Sequence, residues 1–162
     1  MPSPVGHALG GLILGELLAP TALVLCAVAG AAPDIDFLWS GHNRETHSLG
    51  AAVIAGLVVY AWKRSPRLAI AVTLSWASHV LFDWLGSDDT PPLGVMALWP
   101  LNSNFYFANA FVFEAISRRY WLDNFITHNA SAVIKEVLIL GPIAFIAFRW
   151  RGRRRSRPPG TA

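Results

Sequence analysis

Five apolar segments, separated by short polar stretches, make up most of the chain. They cover residues 5–18, 21–32, 48–62, 68–85 and 133–150. Ala19-Pro20 separates the first two segments, because proline disfavours helix in the residue before it, and Pro33 ends the second. Both segments are shorter than the roughly 20 residues that a straight membrane span needs. We expect them to form a tight helical hairpin that is tilted or partly re-entrant.

The stretch between the fourth and fifth apolar segments has a different pattern. Residues 86–92 are rich in glycine, aspartate and proline, which predicts a loop. Residues 105–121 combine many aromatic side chains with Glu114, Arg118 and Arg119, a mixture that favours an interfacial helix over a span. Pro142 is expected to kink the last segment. The predicted fold is therefore all-α. It is an integral membrane bundle of about four membrane-embedded helices plus an interfacial helix, with residues 1–150 as one domain.

Composition and charge favour a bilayer and give the bundle a direction. The chain is 54% hydrophobic and only 14% charged, whereas a soluble domain usually carries about 25% charged residues. Six of its 13 Lys and Arg residues lie between Arg149 and Arg157, and Lys63, Arg64 and Arg67 occupy another loop. The positive-inside rule places both on the cytoplasmic side of a bacterial inner membrane. Residues 151–162 are expected to form a basic, disordered cytoplasmic tail that contacts lipid rather than nucleic acid.

The polar residues of metal-ligand type fall on the opposite side in this topology. His79 and Asp83 are four residues apart, so a helix places them on one face. Asp34 and Asp36 follow the second segment, while His42 and His47 precede the third. His7 lies 13 residues before Pro20 and Asp34 lies 14 after it, so a hairpin would bring both to one depth. Four segments thus deliver imidazoles and carboxylates to one layer.

Each of these features also has a plain structural interpretation when it is taken alone. His79 and Asp83 could form a hydrogen bond inside the bundle, Asp34 and Asp36 could shape a turn, and Thr46 could cap the third segment. Their convergence favours a site for a divalent metal, zinc first and manganese second. The predicted ligands are His7, Asp34, Asp36, His47, His79 and Asp83. Arg44 suits a phosphate oxygen, and His128 is expected to be a surface residue.

The order of these motifs resembles that of a known family. His7, Pro33-Asp34-Ile35-Asp36, Thr46-His47-Ser48, His79-Val80-Leu81-Phe82-Asp83 and Leu98-Trp99-Pro100 follow one another as in the YdjM-like family. That family is described as membrane-bound, metal-dependent hydrolases, and the resemblance covers about residues 4–107. Members often have His-Arg-Gly where this chain has His42-Asn43-Arg44-Glu45, so the match there is loose. The His-x-x-x-Asp element is also similar to one in zinc-dependent phospholipase C and P1-type nucleases.

The resemblance implies a hydrolase that acts on a phosphoester or lipid at the non-cytoplasmic membrane surface. A metal-activated water would attack a phosphorus or carbonyl centre. Asp36 would serve as general base, or as a ligand, and Arg44 would contact the substrate. The alternative is a non-enzymatic membrane protein in which the same residues hold a structural metal. A structural site is closed by four protein ligands, whereas a catalytic site keeps an open position.

Overall fold

The computed structural model describes residues 1–38, 42–88 and 91–155. Its described part contains five α-helices and no β-strand, so the all-α prediction is confirmed. The helices are α1 (Pro4–Leu18), α2 (Leu23–Ala31), α3 (Leu49–Lys63), α4 (Pro66–Leu85) and α5 (Phe125–Arg155). A 3₁₀ helix (Ala32–Leu38) continues directly from α2. Helices therefore form at all five apolar segments.

Serine side chains begin three of the helices. Ser3, Ser48 and Ser65 each accept a hydrogen bond from the backbone N–H three residues later, which satisfies one of the free donors at the helix start. Proline follows Ser3 and Ser65, where its missing N–H costs nothing. Between α3 and α4, Arg64 adopts the left-handed conformation (φ 53°), so the two helices form a tight hairpin.

The helices α1 and α4 lie at the centre of the bundle. The first packs against α2, α4 and α5, and the second packs against α1, α2 and α3. Glycines allow α1 and α2 to approach closely. A Cβ atom added at Gly11 would lie 2.1 Å from the carbonyl oxygen of Cys26, and one added at Gly30 would lie 2.4 Å from that of His7. Small residues at such contacts are typical of helix pairs in membranes.

Two helices, α4 and α5, are long and apolar enough to cross a membrane. The helices α1 and α3 have 15 residues each and α2 has nine, so helix length does not establish four spans. The outward surface is nevertheless strongly apolar. Val24, Val58, Leu138 and Phe145 are all more than 60% exposed, while the interior contains histidines and carboxylates. An apolar exterior around a polar interior is the arrangement expected of a protein in lipid.

The predicted interfacial helix at residues 105–121 is wrong. This stretch has no regular secondary structure, and its backbone pairs with distant residues. Val95 and Tyr106 exchange two hydrogen bonds (3.0 and 2.8 Å), and a second bridge joins Gly86 to Phe113. Asn109 and Phe111 have positive φ angles of 53° and 50°, which a right-handed helix excludes. The segment runs back over the end of α4 where His79 and Asp83 lie.

The opposite end of the bundle carries basic residues. Glu16, inside α1, forms an ion pair with Arg151 at 3.2 Å, and the Arg67 guanidinium donates a hydrogen bond to the carbonyl oxygen of Leu18. The start of α4 and the end of α5 therefore meet at the α1–α2 turn. Helix α5 continues to Arg155, into the segment predicted to be a disordered tail, and residues 156–162 lie outside the described residues.

Candidate metal centre

Four elements bring the histidines and aspartates together at one end of the bundle. His7 comes from the first turns of α1, Asp34 and Asp36 from the 3₁₀ helix, and His79 and Asp83 from the end of α4. His42 and His47 lie in the loop before α3. Hydrogen bonds pin this loop: the Trp76 indole donates to the carbonyl oxygen of Thr46 (2.8 Å), and the Met96 N–H donates to that of Asn43 (3.0 Å).

The inner part of this cluster, which we call the deep group, consists of His7, His79 and Asp83. All three side chains are buried. Nε2 of His7 lies 3.2 Å from one oxygen of Asp83, and Nε2 of His79 lies 3.0 Å from the other. The two imidazole rings stack with their centroids 3.6 Å apart. One ligand atom from each residue lies within 4.8 Å of the others, which is close enough to share an ion.

A backbone contact defines which nitrogen of His79 can bind a metal. Nδ1 of His79 lies 2.8 Å from the carbonyl oxygen of Gly30, which can only accept a hydrogen bond. Nδ1 therefore carries the proton, and the lone pair of the neutral ring is on Nε2, which faces Asp83. Metal-binding histidines usually donate their other N–H to a carbonyl or carboxylate in this way.

The outer group consists of Asp34, His42 and His47, and it also has ligand atoms within 4.8 Å of one another. It adjoins the deep group directly. Nε2 of His47 lies 3.6 Å from Asp34 and 3.5 Å from Asp83, while Nε2 of His79 lies 3.7 Å from Asp34. Asp34 thus contacts histidines from both groups, so the two groups form one continuous cluster.

Asp36 lies behind the outer group and contacts both of its histidines. Nδ1 of His42 donates a hydrogen bond to one carboxylate oxygen (2.7 Å), and the Thr46 hydroxyl donates to the other (2.9 Å). That second oxygen also lies 3.1 Å from Nδ1 of His47. His47 therefore has Asp36 on its Nδ1 side and Asp34 and Asp83 on its Nε2 side. This is the carboxylate–histidine arrangement that orients metal ligands.

These contacts determine the charges of the outer residues. Burial lowers the pKa of His47, but the neighbouring carboxylates of Asp34, Asp36 and Asp83 outweigh this effect and raise it to about 9. Burial raises the pKa of Asp36, but hydrogen bonds from His42 and His47 hold it below its ordinary value. Both aspartates favour the ionised form, and a metal that binds His47 must displace its proton.

The donor atoms fit a divalent ion. Nε2 of His7, His47 and His79 and both oxygens of Asp83 are buried without a hydrogen-bond partner, although buried polar atoms nearly always have one. Their contacts of 3.0–3.7 Å match the spacing of about 3.4 Å between ligands bound tetrahedrally at about 2.1 Å. Mixed imidazole and carboxylate donors suit zinc and related ions.

A cavity of about 1100 Å³ reaches the outer group from the surface. Asp34 and His42 lie on its wall, and the exposed Arg44 lines it as well. His128 also lines the cavity, but its Nε2 donates to the carbonyl oxygen of Ala115 (2.8 Å) and its Nδ1 lies 3.6 Å from Glu114. The structure therefore keeps His128 out of both donor groups.

The cluster brings together all six predicted ligands, and it adds a residue that sequence reasoning did not select. His42 was not among the predicted ligands, yet it belongs to the outer donor group. Its position five residues before His47 in the same polar loop was the available signal. No sequence pattern could have identified the Gly30 carbonyl as a partner of His79, because every residue has a backbone carbonyl oxygen.

Comparison with known proteins establishes the family. The model of the YdjM inner membrane protein family matches residues 1–155. The chain belongs to this family. The resemblance stated from the ordered motifs is thereby confirmed, and the YdjM match extends beyond the motifs to almost the whole chain. The description of YdjM proteins as inner membrane proteins agrees with the two apolar helices long enough to span a bilayer. No curated protein and no solved structure matches the chain significantly.

Proposed function

We propose that this protein is a membrane-bound, metal-dependent hydrolase that acts on a phosphoester or lipid at the non-cytoplasmic surface of the inner membrane. The observation that carries the proposal is the convergence of buried donor atoms from His7, His47, His79 and Asp83 next to Asp34, which lines an open cavity. Membership of the YdjM family supports the membrane location.

The deep group, together with Asp34 and His47 of the outer group, would hold the metal through imidazole Nε2 and carboxylate oxygen atoms. His42 would stay off the metal and face the cavity. Zinc is the first expectation and manganese the second. When bound, the ion would lower the pKa of a water molecule and polarise the scissile ester. His79 and His47 are held in the correct orientation by the Gly30 carbonyl and by Asp36, so the chain itself prepares the ligand geometry.

Asp36 and Arg44 are the residues proposed to act on the reactants. Asp36 holds His42 on the cavity wall through a hydrogen bond of 2.7 Å, so a proton taken up at His42 would be stabilised by the carboxylate. Asp36 would therefore provide the base function through this pair. Arg44 lines the same cavity and is exposed, so its guanidinium can meet an anionic oxygen of the substrate.

The alternative function is a structural metal site, and the two groups differ in how well they fit it. The deep group is completely buried, as a structural site requires. In the outer group, Asp34 and His42 are only partly buried and face the cavity. A catalytic metal needs access of this kind for water and substrate, so the outer group favours the hydrolase.

Turnover by the purified protein tests the proposal. The full chain in detergent, loaded with zinc or manganese, should hydrolyse at least one member of a panel of phospholipids and soluble phosphodiesters. A chelator should abolish this activity. Asp36→Asn should reduce turnover more than it reduces metal content, because the new amide still accepts hydrogen bonds but supports a protonated His42 poorly. The absence of chelator-sensitive turnover from protein shown to contain metal would favour the structural site.

A further inference from the structure

The end of the bundle opposite the metal centre contains a second cavity, of about 570 Å³. It lies between the α1–α2 turn, the start of α4 and the end of α5. We infer that this cavity, which we call the basic-end cavity, binds the head group of an anionic phospholipid from the leaflet at that end. Such a site would be independent of the metal centre and of the proposed hydrolase activity.

The charge of this end of the bundle fits an anionic ligand. The segments that lie here are residues 14–26, 60–70 and 145–153. They carry six basic residues and one acidic residue, namely Lys63, Arg64, Arg67, Arg149, Arg151 and Arg153 against Glu16. An anionic group that reaches the cavity therefore meets a strongly positive surface. Basic pockets between membrane helices bind anionic lipid head groups in this way.

Two of these arginines line the cavity and are held in place by hydrogen bonds. Nη1 of Arg151 lies 3.2 Å from the carboxylate of Glu16 and donates to the carbonyl oxygen of the same residue (3.4 Å). Nε of Arg67 donates to the carbonyl oxygen of Leu18, at the end of α1. Because that acceptor is neutral, the contact orients Arg67 without cancelling its charge.

Arg67 is therefore the principal ligand expected for the phosphate group. Its bond to α1 uses Nε, so Nη1 and Nη2 take no part in it, and a guanidinium suits a pair of phosphate oxygens. The charge of Arg151 is matched by Glu16, which makes Arg151 the weaker ligand. Thr21 and Ser65 line the same cavity, and their hydroxyl groups can donate further hydrogen bonds.

The apolar part of the cavity wall fits a lipid better than a soluble anion. Leu17 and Trp150 line the cavity and are 38% and 46% exposed, so they continue its wall onto the outer surface of the bundle. Both helices that are long enough to cross a membrane have an end here, where exposed tryptophan lies at the level of the head groups. A phospholipid can therefore place its phosphate in the cavity while its acyl chains follow the apolar helix faces.

Lipid binding by the purified full chain in detergent tests the inference. Phosphatidylglycerol or phosphatidylcholine is added in mixed micelles over a concentration series, and native mass spectrometry measures the lipid retained. The wild type should bind phosphatidylglycerol at least about 10-fold more tightly, because choline cancels the charge of the phosphate. Arg67→Gln should weaken phosphatidylglycerol binding about 10- to 100-fold, since it removes charge-assisted hydrogen bonds. Arg67→Lys should lie between the two, because it keeps the charge but not the fork.

Two further variants distinguish a defined site from a diffuse basic surface. Arg149→Ala removes the same charge at the same end, but Arg149 is not among the described residues that line the cavity. It should weaken binding by no more than about fivefold, the contribution of one basic residue near a charged surface. Thr21→Trp leaves the charge unchanged and fills the cavity from an exposed position on its wall, so it should weaken binding as Arg67→Gln does.

Equal weakening by Arg149→Ala and Arg67→Gln would overturn the inference, as would unchanged binding in both Arg67→Gln and Thr21→Trp. Equal affinity of the wild type for the two lipids would also contradict it. Soluble glycerol phosphate at millimolar concentration serves as a competitor. If it displaces phosphatidylglycerol, the acyl chains contribute nothing and the assignment to a lipid is wrong. Melting temperatures identify variants that do not fold, and Thr21→Trp decides if Arg67→Gln is one of them.

Discussion

Replacing Gly30 by alanine tests whether the contact between α1 and α2 holds the histidines in place. The added Cβ would lie 2.4 Å from the carbonyl oxygen of His7 and 3.1 Å from the Cα of Gly11, whereas ordinary contacts begin at 3.4 Å. The two helices must therefore separate by about 1 Å. Both His7 and the Gly30 carbonyl that orients His79 would move with them.

The size of the effect follows from two opposing terms. Alanine is favoured over glycine within a helix by about 0.5–1 kcal/mol, but overpacking a close contact costs about 1–3 kcal/mol. The net cost is therefore about 0–2.5 kcal/mol, and the melting temperature should fall by up to about 10 °C for a chain of this size. Zinc affinity should fall about 10- to 100-fold, as it does when the partner that orients a ligand is disturbed.

Thermal unfolding in detergent, with and without zinc, measures the first effect, and competition with a chelating dye measures the second. Gly141→Ala is the matched control, because its Cβ would meet only Val137 at 3.9 Å. That variant should be as stable as the wild type or slightly more stable. If Gly30→Ala had the same melting temperature and zinc affinity as the wild type, the idea that close helix packing positions the metal centre would be refuted.

Three further predictions follow from the same geometry. His79→Ala and Asp83→Ala should each lower the metal content of the purified protein, because each removes a buried donor. His128→Ala should leave the metal content unchanged, and elemental analysis measures it in all three variants. Glu136 accepts hydrogen bonds from the backbone N–H and the hydroxyl of Ser3, and the carbonyl oxygen of Ser3 accepts one from the N–H of His7. Glu136→Ala should therefore lower both the melting temperature and the zinc affinity. Glu136→Gln should lower them less. In a Cys26→Ala background, a thiol reagent should label Asp88→Cys only from the non-cytoplasmic side of the membrane and Ser156→Cys only from the cytoplasmic side. The reverse labelling pattern would contradict the proposed orientation.

The sequence was sufficient to predict helices at the five apolar segments and the grouping of the histidines and aspartates, because both depend on local features. Apolar runs at residues 5–18 and 68–85 agree closely with α1 (Pro4–Leu18) and α4 (Pro66–Leu85). The four-residue spacing of His79 and Asp83 places them on one helix face whatever the tertiary structure. The hairpin at Ala19-Pro20 then accounts for the meeting of His7 with residues after α2.

The remaining features depend on contacts between distant parts of the chain. Asp34 and Asp36 are indistinguishable in the sequence, and their positions differ only because they reach opposite sides of the His47 ring. Residues 105–121 have the composition of an interfacial helix, but pairing with Val95 and Gly86 holds an irregular backbone in place instead.

Metal binding and folding would be coupled in this arrangement, and this affects how the two functions can be told apart. Three buried imidazoles and the carboxylate of Asp83 have unpaired polar atoms inside an apolar bundle, which is costly unless an ion satisfies them. Chelation should therefore destabilise the protein whether its metal is structural or catalytic, and a lower melting temperature cannot choose between them. The position of the partly exposed Asp34 does distinguish the two functions. Its carboxylate contacts His47 and His79 on one side and lines the cavity on the other. A ligand in that position would link a buried ion to an accessible surface, which a purely structural site does not require.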